Sequence, residues 1–467
     1  MSEIILTEQE KIALRKDAVR YVIPHFANNA SLAKLPRIYV RGEGCYVWDI
    51  DGKRYLDTFA SLLTTVCGHG RAEIIEAIEE QLRLLEFWPN FEDAFTVPLI
   101  KLAKKLAQIM PGDLSVSFFV NSGSEANETA LKMARQYHAA RGEPHRHKVI
   151  ARRNSYHGTT LGGISATGLP WFRAHFEPLL PGFLFAPPAY DGIQVAGDPP
   201  SADFDPLAAM ERMIEWEDPK TVAAIIMDPV PGSNTGFPLP PKGYIEGVRA
   251  LCDKHGILLI FDEVQTGFGK TGKWFACEHW NVVPDIMAVG KGFSAGYVPL
   301  GAAVTTPKVA DYFTKTPGQE LRTGSTYGGH SIACAAALAN IAVIEKERLV
   351  ERAARMGEYL KGELNKLRKY PIVADVRGIG MLLAIELMRD PKTKKKFDPQ
   401  LGVGRWVGDW CFEHGVIMRN NGEILVMAPA LTITKEEVDT VLSLLDQAIA
   451  AAMVNFGLWP ASRRPTR

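Results

Sequence analysis

The sequence predicts an α/β protein whose larger domain contains a mainly parallel sheet and whose smaller domain is α+β. Three observations support this prediction. The chain has 467 residues, which is too long for one simple hydrophobic core. Short apolar runs alternate with amphipathic helical patterns over positions 72–340, as in a parallel sheet wrapped by helices. After about position 345 the order of helical and strand patterns becomes mixed, which indicates a second domain.

The N-terminal segment, positions 1–71, is expected to contribute to the smaller domain. A helix is predicted within positions 11–30, where apolar and charged residues alternate. The stretch GCYVWDIDGKRYLDTFAS then predicts a β-hairpin, because Asp51-Gly52 is a strong turn signal between two alternating runs.

The large domain, positions 72–340, is predicted to open with two helices, AEIIEAIEEQLRLL and VPLIKLAKKLAQIM. Its predicted strands are SVSFFVN, HKVIA, VAAIIMDPV, GILLIFDE and DIMAV. The helix PKGYIEGVRALCDKHG lies between two of them and should end at His255-Gly256, since glycine favours a helix C-cap. Positions 341–467 are predicted to form the smaller domain, with the helix EYLKGELNKLRKY, strands in VADVRGIGMLLAIEL and a last helix KEEVDTVLSLLDQAIAAAM.

Composition argues against several classes of function. Lys+Arg and Asp+Glu each number 53, whereas a protein that binds nucleic acid usually carries a basic surplus. The start MSEIILTEQEK lacks a secretion signal, and no apolar run is long enough to cross a bilayer. The six cysteines include no C-x-x-C pair. We therefore expect a cytoplasmic protein without a metal site and without nucleic-acid or membrane partners.

The first candidate site is the segment FFVNSGSEANETALKMARQY. Gly123 follows a predicted strand and Ser124 opens a helix with Glu125 in its first turn. Small residues and free backbone N–H groups at a helix N-terminus form a natural phosphate site. An ordinary helix N-cap is the alternative interpretation of the same residues.

The second candidate site is GILLIFDEVQTGFGKTGKW, where Asp262 lies at the end of an apolar strand. A carboxylate there is costly to bury without a cationic partner. The segment also contains G-x-x-x-x-G-K, from Gly267 to Lys273, which resembles the phosphate loop of an ATPase. However, Trp274 replaces the Ser or Thr that must bind the metal. The loop also follows the acidic strand, whereas a phosphate loop links the first strand to its helix.

The third candidate site is DIMAVGKGFSAGYVPLGAAV, which places Lys291 between two glycines just after a predicted strand. No Asp or Glu occurs between Asp285 and Asp311. An apolar site without a nearby acid lowers the pKa of a lysine, as an amine nucleophile requires. The simpler alternative is a lysine whose stem packs while its ammonium reaches water.

Taken together, these three sites are the parts needed to hold pyridoxal 5'-phosphate (PLP). The lysine would bind the aldehyde as a Schiff base, and the acid would keep the pyridine nitrogen protonated so that the ring acts as an electron sink. Covalent occupation would also explain a lysine in core-like sequence.

The chain resembles the class III (ω-) aminotransferases of PLP fold type I, from about residue 30 to residue 445. Six segments in the family's order carry this resemblance: NSGSEANETALKMAR, YHGTT, FDEVQTGFGKTG, KGFSAGYVPLGA, GSTYGGHSIACAAALA and GVIMRNNGEILVMAPALTIT. The resemblance implies a large domain with a seven-stranded type of sheet, a small α+β domain and a homodimer or dimer of dimers with shared active sites.

The resemblance also implies roles for individual residues. Lys291 becomes the Schiff-base lysine and Asp262 the partner of the pyridine nitrogen. The implied cofactor contacts are Ser122, Gly123, Ser124, Tyr156, His157, Asp228, Asp262, Val264, Gln265, Lys291 and, from the neighbouring subunit, Thr326. Tyr156 would stack on one ring face and Val264 on the other, with Gln265 near the ring hydroxyl. Arg419 would bind a substrate carboxylate and swing aside for an uncharged group, while Leu63 and Phe91 would line the substrate pocket.

Three positions depart from the family pattern. Leu63 stands where amine-accepting members usually have a bulky aromatic residue, so a more open pocket wall is expected. Asp228 stands where Glu is more frequent, and its shorter side chain is expected to weaken any contact near Arg419. Lys270 replaces a commoner Arg, which should matter little if the position meets only solvent.

The sequence therefore predicts a transaminase that moves an amino group from an amine or ω-amino acid to a keto acid such as pyruvate by a ping-pong mechanism. Two alternatives remain at this point. One is another PLP reaction on the same fold, an aminomutase or a decarboxylase. The other is a nucleotide-binding protein built on the GFGKTGK loop.

Overall fold

The computed structural model describes residues 6–27, 36–189 and 204–459 of the chain. Its helical segments are α1 (Glu8–Tyr21), α2 (Ala60–Leu63), α3 (Ala72–Leu84), α4 (Val97–Ile109), α5 (Gly123–Ala140), α6 (Leu161–Ala166), α7 (Pro170–Arg173), α8 (Pro206–Trp216), α9 (Tyr244–His255), α10 (Pro307–Thr314), α11 (Ser331–Lys346), α12 (Leu349–Asn365), α13 (Val403–Glu413) and α14 (Lys435–Asn455).

The strands form three sheets. They are β1 (Tyr39–Glu43), β2 (Tyr46–Asp49), β3 (Arg54–Asp57), β4 (Val116–Val120), β5 (Lys148–Arg152), β6 (Phe183–Ala186), β7 (Val222–Met227), β8 (Leu258–Asp262), β9 (Ile286–Val289), β10 (Gly301–Thr305), β11 (Val373–Ile379), β12 (Leu382–Leu387), β13 (Val416–Ile417), β14 (Arg419–Asn421) and β15 (Ile424–Met427).

The largest sheet has seven strands in the order β4-β10-β9-β8-β7-β5-β6. Strands β9, β8, β7, β5 and β6 are mutually parallel, whereas β10 runs antiparallel to both β4 and β9. The predicted mainly parallel sheet is confirmed. Two of its strands, β6 and the antiparallel β10, were not predicted, because four or five small or aromatic residues give too short an apolar run to identify alone.

The centre of this sheet is buried on both faces. Every residue of β7, β8 and β9 is buried, which explains why their sequences are continuous apolar runs and not alternating ones. Helix α5 packs across β10, β9 and β7, and α11 packs with α3 and α4. Helix α9 ends as predicted, with Gly256 in the left-handed region at φ 67°.

One of the two smaller sheets joins distant parts of the chain. The predicted hairpin forms β2 and β3, and β3 pairs in parallel with β13 near the C-terminus. Strands β11, β12, β15 and β14 form a separate antiparallel sheet. Helix α11 continues through position 340, the predicted limit between the large and the small domain. The domain limits at 71 and 340 stay predictions.

The topology places the ends of β4, β8 and β9 along the same edge of the large sheet, the one formed by the carboxyl ends of its parallel strands. Because β10 runs opposite to both of its neighbours, β4 points in the same direction as β9 and β8. The carboxyl ends of these three strands therefore lie together, which is where open α/β sheets bind ligands.

Three further properties concern the described part of the chain. None of its helices combines the length and apolarity that a membrane crossing requires. Within the same residues no three His, Cys, Asp or Glu side chains are grouped as metal ligands. The six cysteines are free and buried.

Candidate active site

A cavity of about 120 Å³ lies at this edge of the large sheet. Most of the predicted cofactor residues line it: Ser122, Gly123, Ser124, Tyr156, His157, Asp228, Asp262, Val264, Gln265 and Lys291. Long-range folding thus brings together residues that are up to 169 positions apart, from Ser122 to Lys291.

The N-terminus of α5 forms one wall of the cavity. The helix begins at Gly123, one residue before the predicted start, and Ser122 is its N-cap, with its Oγ accepting a hydrogen bond from Glu125 N at 3.2 Å. The first backbone N–H groups of a helix have no carbonyl partner within it. A Cβ at Gly123 would lie 2.6 Å from Val264 Cγ1, so the glycine permits a close approach of the two segments. Capping and anion binding are therefore compatible here.

Asp262, at the end of β8, is buried but has hydrogen-bond partners. Its Oδ2 accepts hydrogen bonds from Asn127 Nδ2 at 2.7 Å and from His157 Nδ1 at 2.9 Å, and its Oδ1 accepts one from Val264 N at 3.1 Å. These donors offset the cost of burying a carboxylate. The prediction missed Asn127, whose position in α5 gives no sign that it faces β8.

Lys291 lies just after β9 and is partly buried. Its backbone is in the left-handed region at φ 45°, an unfavourable conformation for a residue with a Cβ. Burial lowers the pKa of Lys291, and the positive charge of Arg419 lowers it further, while Asp262 acts in the opposite direction. The site thus favours the neutral amine more than water does.

Asp228 and Tyr156 are two further polar residues of the lining. Asp228 Oδ1 accepts hydrogen bonds from Arg152 Nη2 and from Ser155 Oγ, both at 2.7 Å. Burial alone would raise the pKa of Asp228, but the charge of Arg152 and these hydrogen bonds bring it below the usual value. Burial raises the pKa of Tyr156, and Asp262 adds to that effect. The expected contact of Asp228 near Arg419 is replaced by the pair with Arg152, which the prediction missed.

The residues present fit PLP. The cavity combines an amine of lowered pKa, a buried carboxylate and a helix N-terminus. Three buried polar atoms of its lining have no hydrogen-bond partner among the described residues: His157 Nε2, Asn127 Oδ1 and Asp228 Oδ2. Such atoms are uncommon in native proteins unless a bound group satisfies them.

Arg419, at the start of β14, lies close enough to the cavity for electrostatic interaction with Lys291 and Tyr156, which line it. Its guanidinium is 5.4 Å from the centre of the Phe59 ring, and its Nε donates a hydrogen bond to Asn421 Oδ1 at 3.3 Å. No Asp or Glu of the described ranges forms an ion pair with Arg419. A partly buried guanidinium without a carboxylate partner is suited to bind one from a ligand.

The family pattern described as "Aminotransferase class-III" matches residues 27–449 of the chain. This protein belongs to the class III aminotransferases. It is therefore an enzyme of a PLP-dependent family with the fold expected for it.

Relatives of this class III aminotransferase include enzymes named for pyruvate. It is 36% identical to putrescine--pyruvate aminotransferase of Pseudomonas aeruginosa, over 92% of this chain and 95% of that protein. It is also 36% identical to taurine--pyruvate aminotransferase of Bilophila wadsworthia, over 96% of this chain and 99% of that protein. The crystal structure of the omega transaminase from Pseudomonas jessenii in complex with PMP superimposes with a TM-score of 0.90 at 33% identity, covering 96% of this chain and all of that one.

Besides Arg419, three predicted residues of the aminotransferase do not line the cavity. Leu63 is buried in an apolar cluster that also contains Phe59 and Val230, and only Val230 of these three lines the cavity. Thr326 is exposed in a turn, and Phe91 is half-exposed. A Cβ at Gly324 would lie 3.3 Å from the Phe91 ring, so Phe91 and the turn at Thr326 are neighbours on the surface.

Lys270 corrects an expectation. It does not meet solvent: the side chain is buried, and its Nζ donates hydrogen bonds to the carbonyl oxygens of Ala428 at 2.9 Å and Pro429 at 2.8 Å. Burial lowers the pKa of Lys270 to about 7.

The nucleotide-binding alternative also loses support, because the GFGKTGK loop is followed by the short 3-10 helix Ala276–His279 and not by the helix of a phosphate loop.

Proposed function

We propose that this class III aminotransferase transfers an amino group from a primary amine or ω-amino acid to a keto acid, with pyruvate as the preferred acceptor. The observation that carries the proposal is Arg419, a guanidinium without a carboxylate partner among the described residues, beside the cavity of Lys291 and Asp262. The names of the two pyruvate aminotransferases support pyruvate in particular.

In this proposal different residues of the cavity bind different parts of the cofactor. The N-terminus of α5, with Gly123 and Ser124, would bind the phosphate, and Asp262 would keep a proton on the ring nitrogen. Tyr156 and Val264 would pack on opposite ring faces, and Gln265 would lie near the ring hydroxyl. When bound, PLP supplies an aldehyde that captures amines covalently and a ring that delocalises negative charge.

Lys291 would act on the substrate itself. Its lowered pKa lets the Nζ take a proton from the donor carbon and return one elsewhere, as a general base and then a general acid. Over the complete cycle, donor amine plus pyruvate gives the donor carbonyl compound plus alanine. The water consumed in the first half-reaction is released in the second, so atoms balance without a further oxidant. Arg419 would orient the carboxylate of pyruvate.

We also propose that the active enzyme is a homodimer or a dimer of dimers. Phe91 lies against Gly324, two residues before Thr326, and neither Phe91 nor Thr326 lines the cavity of its own chain. In a dimer they would complete the substrate pocket and the phosphate site of the partner. Leu63 stays a prediction for the pocket wall, since its side chain is buried behind the cavity lining.

The test is formation of alanine from pyruvate by the PLP-loaded enzyme with a panel of amines and ω-amino acids. The visible absorbance of the bound cofactor should change with each accepted donor. Lys291→Ala should lower alanine formation by at least about 100-fold, because proton transfer by a positioned group contributes that much or more. Lys273→Ala, at an exposed lysine, is the matched control and should leave activity unchanged.

Two results would contradict the proposal. Absence of alanine with every donor would favour an aminomutase or a decarboxylase on the same fold. An unchanged cofactor spectrum in Lys291→Ala would show that another amine holds the aldehyde.

A further inference from the structure

Asn421 connects Arg419 to the wall of the cofactor cavity. Residues 419 and 421 are two apart on strand β14, so their side chains lie on the same face of the strand. Arg419 Nε donates a hydrogen bond to Asn421 Oδ1 at 3.3 Å. Asn421 Nδ2 in turn donates one to the carbonyl oxygen of Ser233 at 2.6 Å. The amide therefore bridges the arginine and the backbone that follows β7.

The orientation of this amide is determined by its partners. A backbone carbonyl only accepts hydrogen bonds, so the NH₂ group must face Ser233 and the oxygen must face the guanidinium. Arg419 carries only donors, which makes the same orientation favourable at the other end. Each partner thus supports the contact made by the other.

The bridge continues to a residue of the cavity lining. Ser233 N donates a hydrogen bond to Gln265 Oε1 at 3.1 Å, and Gln265 lines the cavity. A Cβ at Gly232 would lie 2.3 Å from Gln265 Nε2, so the backbone at Ser233 is packed tightly against this side chain. The backbone that anchors Asn421 is therefore restrained by a hydrogen bond and by close packing.

We propose that Asn421 is a positioning residue that holds the Arg419 guanidinium in its carboxylate-binding orientation and so favours keto acids over uncharged acceptors. This inference rests on the proposed role of Arg419. The face of the Phe59 ring supports the guanidinium from a second direction. A carboxylate acceptor benefits from an arginine whose side-chain entropy is already reduced, whereas an acceptor without a carboxylate gains nothing from it.

The experiment uses the PLP-loaded enzyme converted to its aminated form and measures the acceptor half-reaction alone, with pyruvate or with benzaldehyde. Asn421→Ala should raise the half-saturating concentration of pyruvate about tenfold, as expected for loss of a hydrogen bond to a charged group. The maximal rate with pyruvate should change less than about twofold, and so should the half-saturating concentration of benzaldehyde. Propionate binding, measured by calorimetry, should weaken by the same factor as pyruvate, independently of turnover.

Two further variants make the result specific. Asn421→Asp keeps the size of the side chain but places a carboxylate beside Arg419, so pyruvate and propionate should bind at least as weakly as in Asn421→Ala. Asn420→Ala is the control, because the neighbouring side chain points away from Arg419 and lies near Gly408. It should leave all four quantities unchanged.

The outcomes separate this inference from the proposed function. If Arg419→Ala leaves pyruvate saturation unchanged, the carboxylate role of Arg419 fails, and the role of Asn421 fails with it. If Arg419→Ala weakens pyruvate binding but neither Asn421 variant does, only the role of Asn421 is overturned. Equal losses with pyruvate and benzaldehyde would also overturn it, since a general structural defect affects both acceptors.

Discussion

Two lysines of this protein lie in surroundings of low polarity, and their partners give them different roles. Lys291 lines the cofactor cavity, where it can react. Lys270 is buried in the loop after β8, and its Nζ donates hydrogen bonds to two carbonyl oxygens just after β15. Its own carbonyl oxygen accepts a hydrogen bond from Met381 N at 2.9 Å. A neutral amine has two N–H donors, which matches the two carbonyls. Lys270 therefore links the large sheet to the C-terminal sheet.

Replacement of Lys270 should change how stability depends on pH. Its folded pKa of about 7 lies below the unfolded value near 10.4, so between these values the unfolded chain binds more protons. Stability gained from this group therefore rises with pH, by at most about 1.4 kcal/mol per pH unit. Lys270→Met should remove that rise. The measurement is urea unfolding of both proteins from pH 7 to pH 9.5, with Lys273→Met as an exposed control. Parallel profiles for Lys270→Met and the parent protein would refute the assignment.

At the scale of one element, α2 is a left-handed turn of four residues that are not glycine. The φ angles of Ala60, Ser61, Leu62 and Leu63 are 45°, 47°, 71° and 65°, a conformation that costs about 1–2 kcal/mol per residue. The Asp57 carboxylate offsets part of this cost by accepting hydrogen bonds from Phe59 N at 2.8 Å, Ser61 N at 2.6 Å and Ser61 Oγ at 3.1 Å. The turn buries Leu63 and exposes Leu62.

Loss of the Asp57 carboxylate should therefore destabilise the region around α2. Asp57→Ala leaves two buried or partly buried N–H groups without an acceptor, and we expect a decrease of about 2–4 kcal/mol in the free energy of unfolding. Asp57→Asn retains one oxygen acceptor and should cost roughly half as much. Urea unfolding at pH 7 measures both variants. Equal and small effects, below about 0.5 kcal/mol, would show that α2 does not depend on this carboxylate.

At the scale of the whole molecule, the surface between α3 and α4 is unusually apolar. Leu84, Trp88, Phe91, Phe95 and Ile100 are each at least half-exposed. The Phe87 and Tyr327 rings are 5.4 Å apart, which joins this surface to the turn of Thr326. Exposed apolar side chains of this kind are typical of a protein interface, which supports the dimer proposed above, and they include Phe91.

A charged side chain in this surface should both separate the proposed subunits and lower the activity. Ile100→Glu, on the exposed side of α4, should produce monomers in sedimentation velocity and lower alanine formation by at least about tenfold, because each site would lose its partner residues. Trp216→Glu is the matched control, since Trp216 is an exposed apolar residue at the end of α8. A fully active monomer would contradict the shared active site.

The sequence by itself determined the fold class and identified the two residues that we propose as the centre of the site. Continuous apolar runs predicted the buried strands of the large sheet, and Asp262 and Lys291 were recognisable because polar residues at the ends of such strands need a chemical reason. These signals are local, because each apolar run and the polar residue at its end lie within one short segment of the chain.

Only the tertiary structure decided which side chains surround these residues. Asn127 on Asp262, Arg152 on Asp228 and Asn421 on Arg419 are ordinary polar residues in their own segments. The burial of Lys270 depends on carbonyl groups nearly 160 positions later in the chain. Hydrogen-bond partners and burial are properties of atoms that meet only when distant segments pack, and no local pattern records them.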